Sequence, residues 1–347
     1  MKKAGYRKTR LDAAAPGVHD ARMKAWLFPL LLCCGFVSAD ESPITLVIHG
    51  GAGVGRESLT PDKEKQCRQV LEQAVRAGHA VLVKDGAALE AVQTAVMILE
   101  DSPLFNAGRG AVLTGAGTAE LDASVMEGRT GQAGAVAGVQ GVRHPIQLAE
   151  MVMRKTPHVL MIGRGAEELA RAEGLRFEDL DWFITPEQVA RLERARKKSA
   201  ALDDNDFSLR MGTVGAVALD RQGNLAAGTS TGGLVNKRSG RVGDSPVIGA
   251  GTYAENGVCA VSCTGHGEFF IRNVVAYDVA ARMKYGGASL ADAAEAVINE
   301  KLKKLEGRGG LISVDARGGI AMPFNSDGMF RAWIGPDNVP HVAIFQD

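Results

Sequence analysis

The sequence predicts a mixed α/β fold in which sheets are sandwiched between layers of helices. Two observations carry this. Strand-like apolar runs, then amphipathic helical stretches, then strands again occur twice along the 347 residues. The 43 glycines are not low-complexity filler. They cluster in short loops between those runs, where backbone turns sharply or approaches a neighbour closely. There is no short-period repeat.

Taken in order, Ile44 to Ile48 is a buried-strand run that ends in His49-Gly50-Gly51-Ala52-Gly53. Helical stretches follow at about 61–84 and 87–101, the second placing Ala88, Ala91, Val92, Ala95 and Leu99 on one face. The loop from Pro103 to Gly108 leads into strands expected near 111–114 and 119–125. Ala133 to Val139 reads as a further strand, with helices near 145–155, 163–173 and 186–199. From Arg191 to Arg210 the chain is dense in charge and has little apolar pattern after Leu202. That is the composition of an exposed, mobile linker. Order resumes at Gly212-Thr213. Val214 to Leu219 and Leu225 to Ala227 form a hairpin over Asp220-Arg-Gln-Gly, a turn sequence. Val258 to Thr264 is a strand, Glu268 to Lys284 and Leu290 to Leu305 are helices, and short strands finish the chain.

Acidic and basic residues balance at 40 each, so no net charge recruits nucleic acid or a membrane surface. Near the N-terminus, Met23-Lys24 precedes an apolar run from Ala25 to Val37 and the small residues Ser38-Ala39 before Asp40. This is the pattern of an export signal, which places the mature chain in the periplasm; an uncleaved leader is the alternative. The apolar run is too short for a permanent bilayer span. Residues 1–22 are a basic, patternless extension, and Leu32 before Cys33 is a poor fit to a lipoprotein site. Beyond Ala39 the cysteines are Cys67, Cys259 and Cys263. Four residues apart in one strand puts the last two about 13 Å apart, too far to bridge, so no disulfide framework is expected.

The chemistry concentrates after the linker. Gly212-Thr-Val-Gly, Thr229-Ser-Thr-Gly-Gly, Gly240-Arg-Val-Gly-Asp-Ser-Pro and Cys263-Thr-Gly-His-Gly-Glu follow in turn. Each sets hydroxyl or charged groups beside glycine at a strand end. A mobile segment running into Gly-Thr suits an internal cleavage site. Cleavage before Thr213 would free an α-amine with an ordinary pKa near 7.7–8.0, able to take the hydroxyl proton. Taken alone, Thr213 reads first as an ordinary strand threonine.

These segments, with His49-Gly-Gly-Ala-Gly and Phe105-Asn-Ala-Gly-Arg-Gly upstream and in the same order, resemble the plant-type asparaginase/isoaspartyl peptidase family of N-terminal-nucleophile hydrolases over roughly 44–345. The resemblance implies a four-layer αββα sandwich, a leader 1–39, an α subunit 40–212 and a β subunit 213–347. The subunits would arise by autocleavage between Gly212 and Thr213 and assemble as (αβ)2. It implies Thr213 as nucleophile, Thr231 beside its amine and hydroxyl, and Thr264 with the Gly265 amide as oxyanion hole. Arg241 would clamp the substrate carboxylate and Asp244 its ammonium, with the Gly267 carbonyl helping. Asn106, Gly50 and Gly51 would support the site, and His49 would be structural. Catalysis would need no cofactor. A structural sodium would lie on the carbonyls of Leu99, Glu100, Ser102, Phe105, Ala107 and Arg109. The substrate would be L-asparagine or a β-aspartyl peptide.

Rival readings make different demands. Gly228-Thr-Ser230-Thr-Gly232 fits the G-x-S-x-G elbow of an α/β-hydrolase, with His266 or His341 as base. That elbow must run into a helix, and the residues after Gly232 do not read as one. A non-catalytic binding homologue is the other class, although every nucleophile and head-group position is present. Glycosylasparaginases share the frame but commonly carry Asp before the nucleophile, where this chain has Gly212. No H-E-x-x-H, Cys/His cluster or Walker loop occurs.

Overall fold

The first apolar run forms strand β1 (Thr45–Ala52), longer than expected because the His-Gly-Gly segment stays in the sheet. The computed structural model describes residues 43–200 and 212–346, so the leader and 201–211 lie outside the described residues. Six further helices and strands follow: α1 (Pro61–Val83), α2 (Ala88–Asp101), β2 (Leu121–Glu127), β3 (Ala133–Val139), α3 (Pro145–Lys155) and β4 (Leu160–Ile162). Next come α4 (Gly163–Ala172) and α5 (Pro186–Ala200). After the undescribed stretch come β5 (Val214–Leu219), β6 (Leu225–Thr231), β7 (Thr252–Glu255) and β8 (Cys259–Gly265). The chain closes with α6 (Gly267–Asn273), α7 (Val275–Gly286), α8 (Leu290–Glu295) and β9 (Gly309–Asp315), then β10 (Ile320–Ala321), β11 (Met329–Ile334) and β12 (Pro340–Ala343).

Eight strands form one sheet in the order β12-β11-β1-β5-β6-β2-β3-β4, and four form a second, β10-β9-β8-β7. Period-2 alternation sends each central strand's side chains to two different cores. Ala216 and Ala218 of β5 pack with Leu71, Val92 and Leu99 of α1 and α2. Val217 and Leu219 of the same strand pack with Ala260, Ile312 and Val314 of the smaller sheet. A third core joins Val261 and Cys263 to Ala276, Val279 and Val297 beyond that sheet. Cys67, Cys259 and Cys263 are buried free thiols.

Local signals set several boundaries. Thr60 caps α1 by accepting from the Lys63 amide, and Pro61 sits where no amide partner is needed. Asp220 does two jobs. It accepts the Gln222 and Asn224 amides, which closes the β5–β6 turn, and it accepts the Ala88 amide at the start of α2.

Four expectations are corrected. Residues 111–114 form no strand: the Val112 amide binds the Asn106 side chain, and the Leu113 carbonyl accepts from Asn236. The charged stretch from Arg191 is helical as far as Ala200. There Gln188, Leu192 and Ala195 share a buried face, and Gln188 donates to the Gly110 carbonyl. The helix expected over 268–284 is two, broken at Val274 in left-handed backbone (φ 50°, ψ 51°). The last helix continues from α8 as a π-helical segment, Ala296–Leu302.

Candidate active site

The site is built where β1, β5 and β6 end together. His49 pairs with Arg331 of β11 and Gly51 with Phe330, so Gly50 is an inserted residue, a β-bulge. The bulge needs glycine. A Cβ on Gly50 would lie 2.6 Å from the Phe105 ring, and one on Gly51 (φ 109°) would lie 2.2 Å from the Gly212 α-carbon. The Gly212 backbone is therefore pressed directly onto the bulge.

Thr213 enters β5 beside the end of β6, because Val214 pairs with Ser230. Its hydroxyl donates to Thr231 Oγ1 at 3.0 Å. Thr231 also accepts from the Gly233 amide at 3.0 Å. Asn106, which lies against Gly212, fixes that turn. Its Nδ2 donates to the Gly233 carbonyl (2.7 Å), its Oδ1 accepts from the Val112 amide (2.8 Å), and its own carbonyl accepts from Gly232 (3.2 Å).

His49 holds the other side of Thr213. Its Nδ1–H donates to the Thr213 carbonyl at 3.0 Å, so Nε2 accepts from the Ser262 hydroxyl at 3.0 Å. Burial pushes the imidazole pKa down to about 3, which keeps it neutral. Behind Ser262 runs a chain of buried hydroxyls, in which Thr229 contacts Ser262 at 2.7 Å and Thr252 at 2.5 Å, and Ser124 donates to Thr252. With the ring tautomer fixed, Ser262 donates to His49 and Thr229 donates to Ser262, while Ser124 also reaches the Ser245 carbonyl at 2.6 Å. No local spacing marks this chain, because its members lie on four strands.

Thr264 is buried, and its Oγ1 accepts from the Ala52 amide at 3.3 Å. That leaves its proton to donate elsewhere. Gly265 lines a small pocket together with Gly212, Thr213, Thr231, Arg241 and Asp244. The predicted nucleophile, one oxyanion donor and both head-group residues thus face one space. Gly267 lets them approach: a Cβ there would meet Arg241 Nη2 and Asp244 Oδ1 at 2.9 Å each.

The head-group pair is arranged differently from a simple Arg241–Asp244 couple. Arg241 donates through Nε and Nη2 to Glu268 Oε1 at 3.0 and 2.8 Å. Asp244 is 4% exposed, and its Oδ2 has no hydrogen-bond partner among the described residues. Burial is the main cause that pushes its pKa up to about 7. An orphaned buried carboxylate is costly unless a ligand cation completes it. Glu268 was missed by sequence reasoning, although an acid two residues after His266 was in view.

Two buried carboxylates were also missed, Glu100 having been expected only for its backbone carbonyl. Glu100 is fully buried. Its carboxylate accepts from Ser230 (2.6 Å) and the Ile146 amide (3.1 Å), with His144 Nδ1 at 3.2 Å. This removes Ser230 as an elbow nucleophile, because it is sealed in the helix-side core with its proton committed. His341 lies far off on β12 against Asp337, and His266 stacks on Phe269. Asp122 is also fully buried, with Oδ1 accepting from the Gly138 amide at 2.8 Å.

A family model described as Asparaginase matches residues 42–344. An isoaspartyl peptidase of Salmonella typhimurium is 52% identical over 308 residues, covering 87% of this chain and 98% of that protein. Its namesake in Escherichia coli is 50% identical, covering 87% and 96%. The human isoaspartyl peptidase/L-asparaginase is 40% identical over 306 residues, covering 86% and 97%. The match takes in the bulge, the Asn106 loop and every strand that builds the pocket, and the chain belongs to the asparaginase family.

Proposed function

We propose that this chain is a threonine hydrolase that cuts itself before Thr213 and then cleaves L-asparagine and β-aspartyl peptides. The observation that carries the reading is the shared pocket, in which the Thr213 hydroxyl lies with Arg241 and the orphaned Asp244 carboxylate. A cationic fork and a lone buried carboxylate are complementary to the α-carboxylate and α-ammonium of a free amino-acid head group. Held at both ends, such a substrate would present its side-chain carbonyl to Thr213.

In the cut enzyme, the α-amine takes the Thr213 proton as Oγ attacks that carbonyl. The Thr264 hydroxyl and Gly265 amide receive the developing negative charge. Collapse expels ammonia or an amino acid or peptide, and water then releases aspartate from the ester. The layered order of the three cores supports an N-terminal-nucleophile αββα sandwich.

The loop from Leu99 to Arg109 fits a sodium ion by donor chemistry. Leu99, Phe105 and Ala107 carbonyls each accept one amide, from Ser102, Ala107 and Gly110, which leaves a second lone pair. Gly108 packs on the Glu100 carbonyl, where a Cβ would lie 2.3 Å away. The ion, with Ser102 and Arg109 completing the ligands, would brace the Asn106 loop and take no part in hydrolysis. We also infer export through Met23–Ala39 and assembly as (αβ)2. N-terminal sequencing of the exported chain, light scattering, and melting with and without sodium check these three.

The test of function is intact mass under denaturing conditions, for wild type and Thr213→Ala. Two chains meeting at Gly212/Thr213 in wild type and one in the variant are expected, with aspartate released from both substrates. A cut enzyme inactive on both would overturn the substrate assignment.

A further inference from the structure

Self-cleavage poses a proton problem that hydrolysis does not. While the Gly212–Thr213 bond is intact, Thr213 has no free amine, so its hydroxyl proton needs another acceptor. His49 does not serve, since its Nδ1–H is donated to the Thr213 carbonyl and its Nε2 accepts from Ser262. The proton points instead at Thr231. Thr231 accepts twice, from Thr213 and Gly233, and among the described bonds donates to none.

Directly across the sheet from Thr231 is Asp122, its register partner between β6 and β2. Two residues along, the same ladder pairs Ser124 with Thr229, and both of those side chains reach Thr252 of the second sheet. Period-2 alternation therefore puts Asp122 and Thr231 on that same face. Cross-strand partners have Cβ atoms about 5 Å apart. The row across β5, β6 and β2 is thus Thr213, Thr231, Asp122. Asp122 is fully buried, and its Oδ2 has no partner among the described residues. An irregularity in the β2–β3 pairing, around Gly138 (φ 62°), delivers the Gly138 amide to Oδ1 and leaves Oδ2 open.

We propose that Asp122 is the proton acceptor for self-cleavage, reached from Thr213 through Thr231. The inference rests on the self-cleaving reading above. Thr213 passes its proton to Thr231 as Thr231, which is not hydrogen-bonded to Asp122 in the resting structure, passes its own to the Asp122 carboxylate on closer approach or through one water, and the Thr213 Oγ bond to the Gly212 carbonyl carbon forms. When the carbon–nitrogen bond breaks, Thr231 protonates the departing Thr213 nitrogen and recovers its proton from Asp122. No net proton is consumed, and the product is the ester that water opens. Burial raises the Asp122 pKa, which strengthens it as a base. The charges that act on it are Lys237, Arg241 and Glu120, and Asp244 feels Asp122 in turn. The Lys237 ammonium donates to the Glu120 carbonyl.

The test follows cleavage of the full chain after cell-free synthesis, by gel, across pH. Asp122→Asn should slow cleavage by about 100-fold or more, the range of a general base. It should also abolish the fall in rate that wild type shows as acid protonates the carboxylate. Asp122→Glu, which keeps the charge and the base, should recover at least about ten-fold of that loss. If Asp122 merely balances the charge of Lys237, then Lys237→Met will restore cleavage to Asp122→Asn; under the proposal it will not. Wild-type cleavage speed in Asp122→Asn, or rescue by Lys237→Met, overturns the role of Asp122. A wild type that stays uncut would instead overturn the self-cleaving reading itself.

Discussion

At the residue scale, the pocket is defined by an acid with nothing to hold. Asp244 is buried without a partner at Oδ2, and its pKa rises to about 7 against an ordinary value of 3.8. The folded state therefore binds this proton more tightly than the unfolded state does. Stability from this residue is greatest below the unfolded value and is lost as pH rises through the folded value. Three pKa units correspond to at most about 4 kcal/mol. Asp244→Asn cannot ionise, so its melting temperature relative to wild type should climb between pH 5 and pH 8. A pH-independent difference would mean that the carboxylate is solvated or already paired. The same titration predicts that wild-type kcat/KM falls as pH drops below about 7, because a protonated Asp244 offers no charge to an ammonium. The sequence supplied Asp244 and Arg241 through a motif, since a head-group reader needs opposite charges beside glycine. Glu268 as the guanidinium's partner escaped that reading. Whether a half-exposed acid turns toward the pocket depends on how α6 departs from β8, which no local spacing encodes.

At the scale of elements, the errors share a cause. Residues 111–114 are buried and apolar like a strand, but their backbone partners are the Asn106 side chain and a distant loop rather than a ladder. The helix expected near 186–199 forms, but the charge count from Arg191 also read its second half as linker, against the 4–3 spacing of Gln188, Leu192 and Ala195 that docks α5. Both cases turn on tertiary partners that composition does not reveal. The hairpin closed by Asp220 was legible because its turn chemistry is local. The break between α6 and α7 was not, because Val274 is a poor residue for the conformation it adopts. A non-glycine residue in left-handed backbone costs roughly 1–2 kcal/mol, and the 44% exposure of Val274 means that little burial offsets it. Val274→Gly should raise the melting temperature by about 2 °C, after allowing for the extra flexibility of glycine in the unfolded chain. A lower melting temperature would show that packing of Val274 on Gly249, where an added Cβ would lie 3.3 Å from Val274 Cγ1, outweighs the strain.

At the scale of the molecule, the larger sheet interleaves the two sides of the Gly212–Thr213 bond. Strands β1 to β4 precede it, and β5, β6, β11 and β12 follow it, yet β1 lies between β11 and β5, and β2 pairs with β6. Neither part has the whole of this larger sheet, although the four-stranded sheet lies entirely after Thr213. Alone, residues 213–347 would expose both edges of the gap left by β1 and would lose the α1 and α2 face that covers Ala216 and Ala218. The proposed cleavage at the entrance to β5 would therefore sever covalent continuity without removing a ladder. The cut protein should elute as one species in native buffer and melt in one cooperative transition with both fragments present. Residues 213–347 produced alone should give no cooperative melt, and adding the separately produced first part during refolding should restore one. A cooperative transition from 213–347 alone would mean that its strands close a core without β1, and the interleaved sheet would then not be what holds the two chains together after the cut.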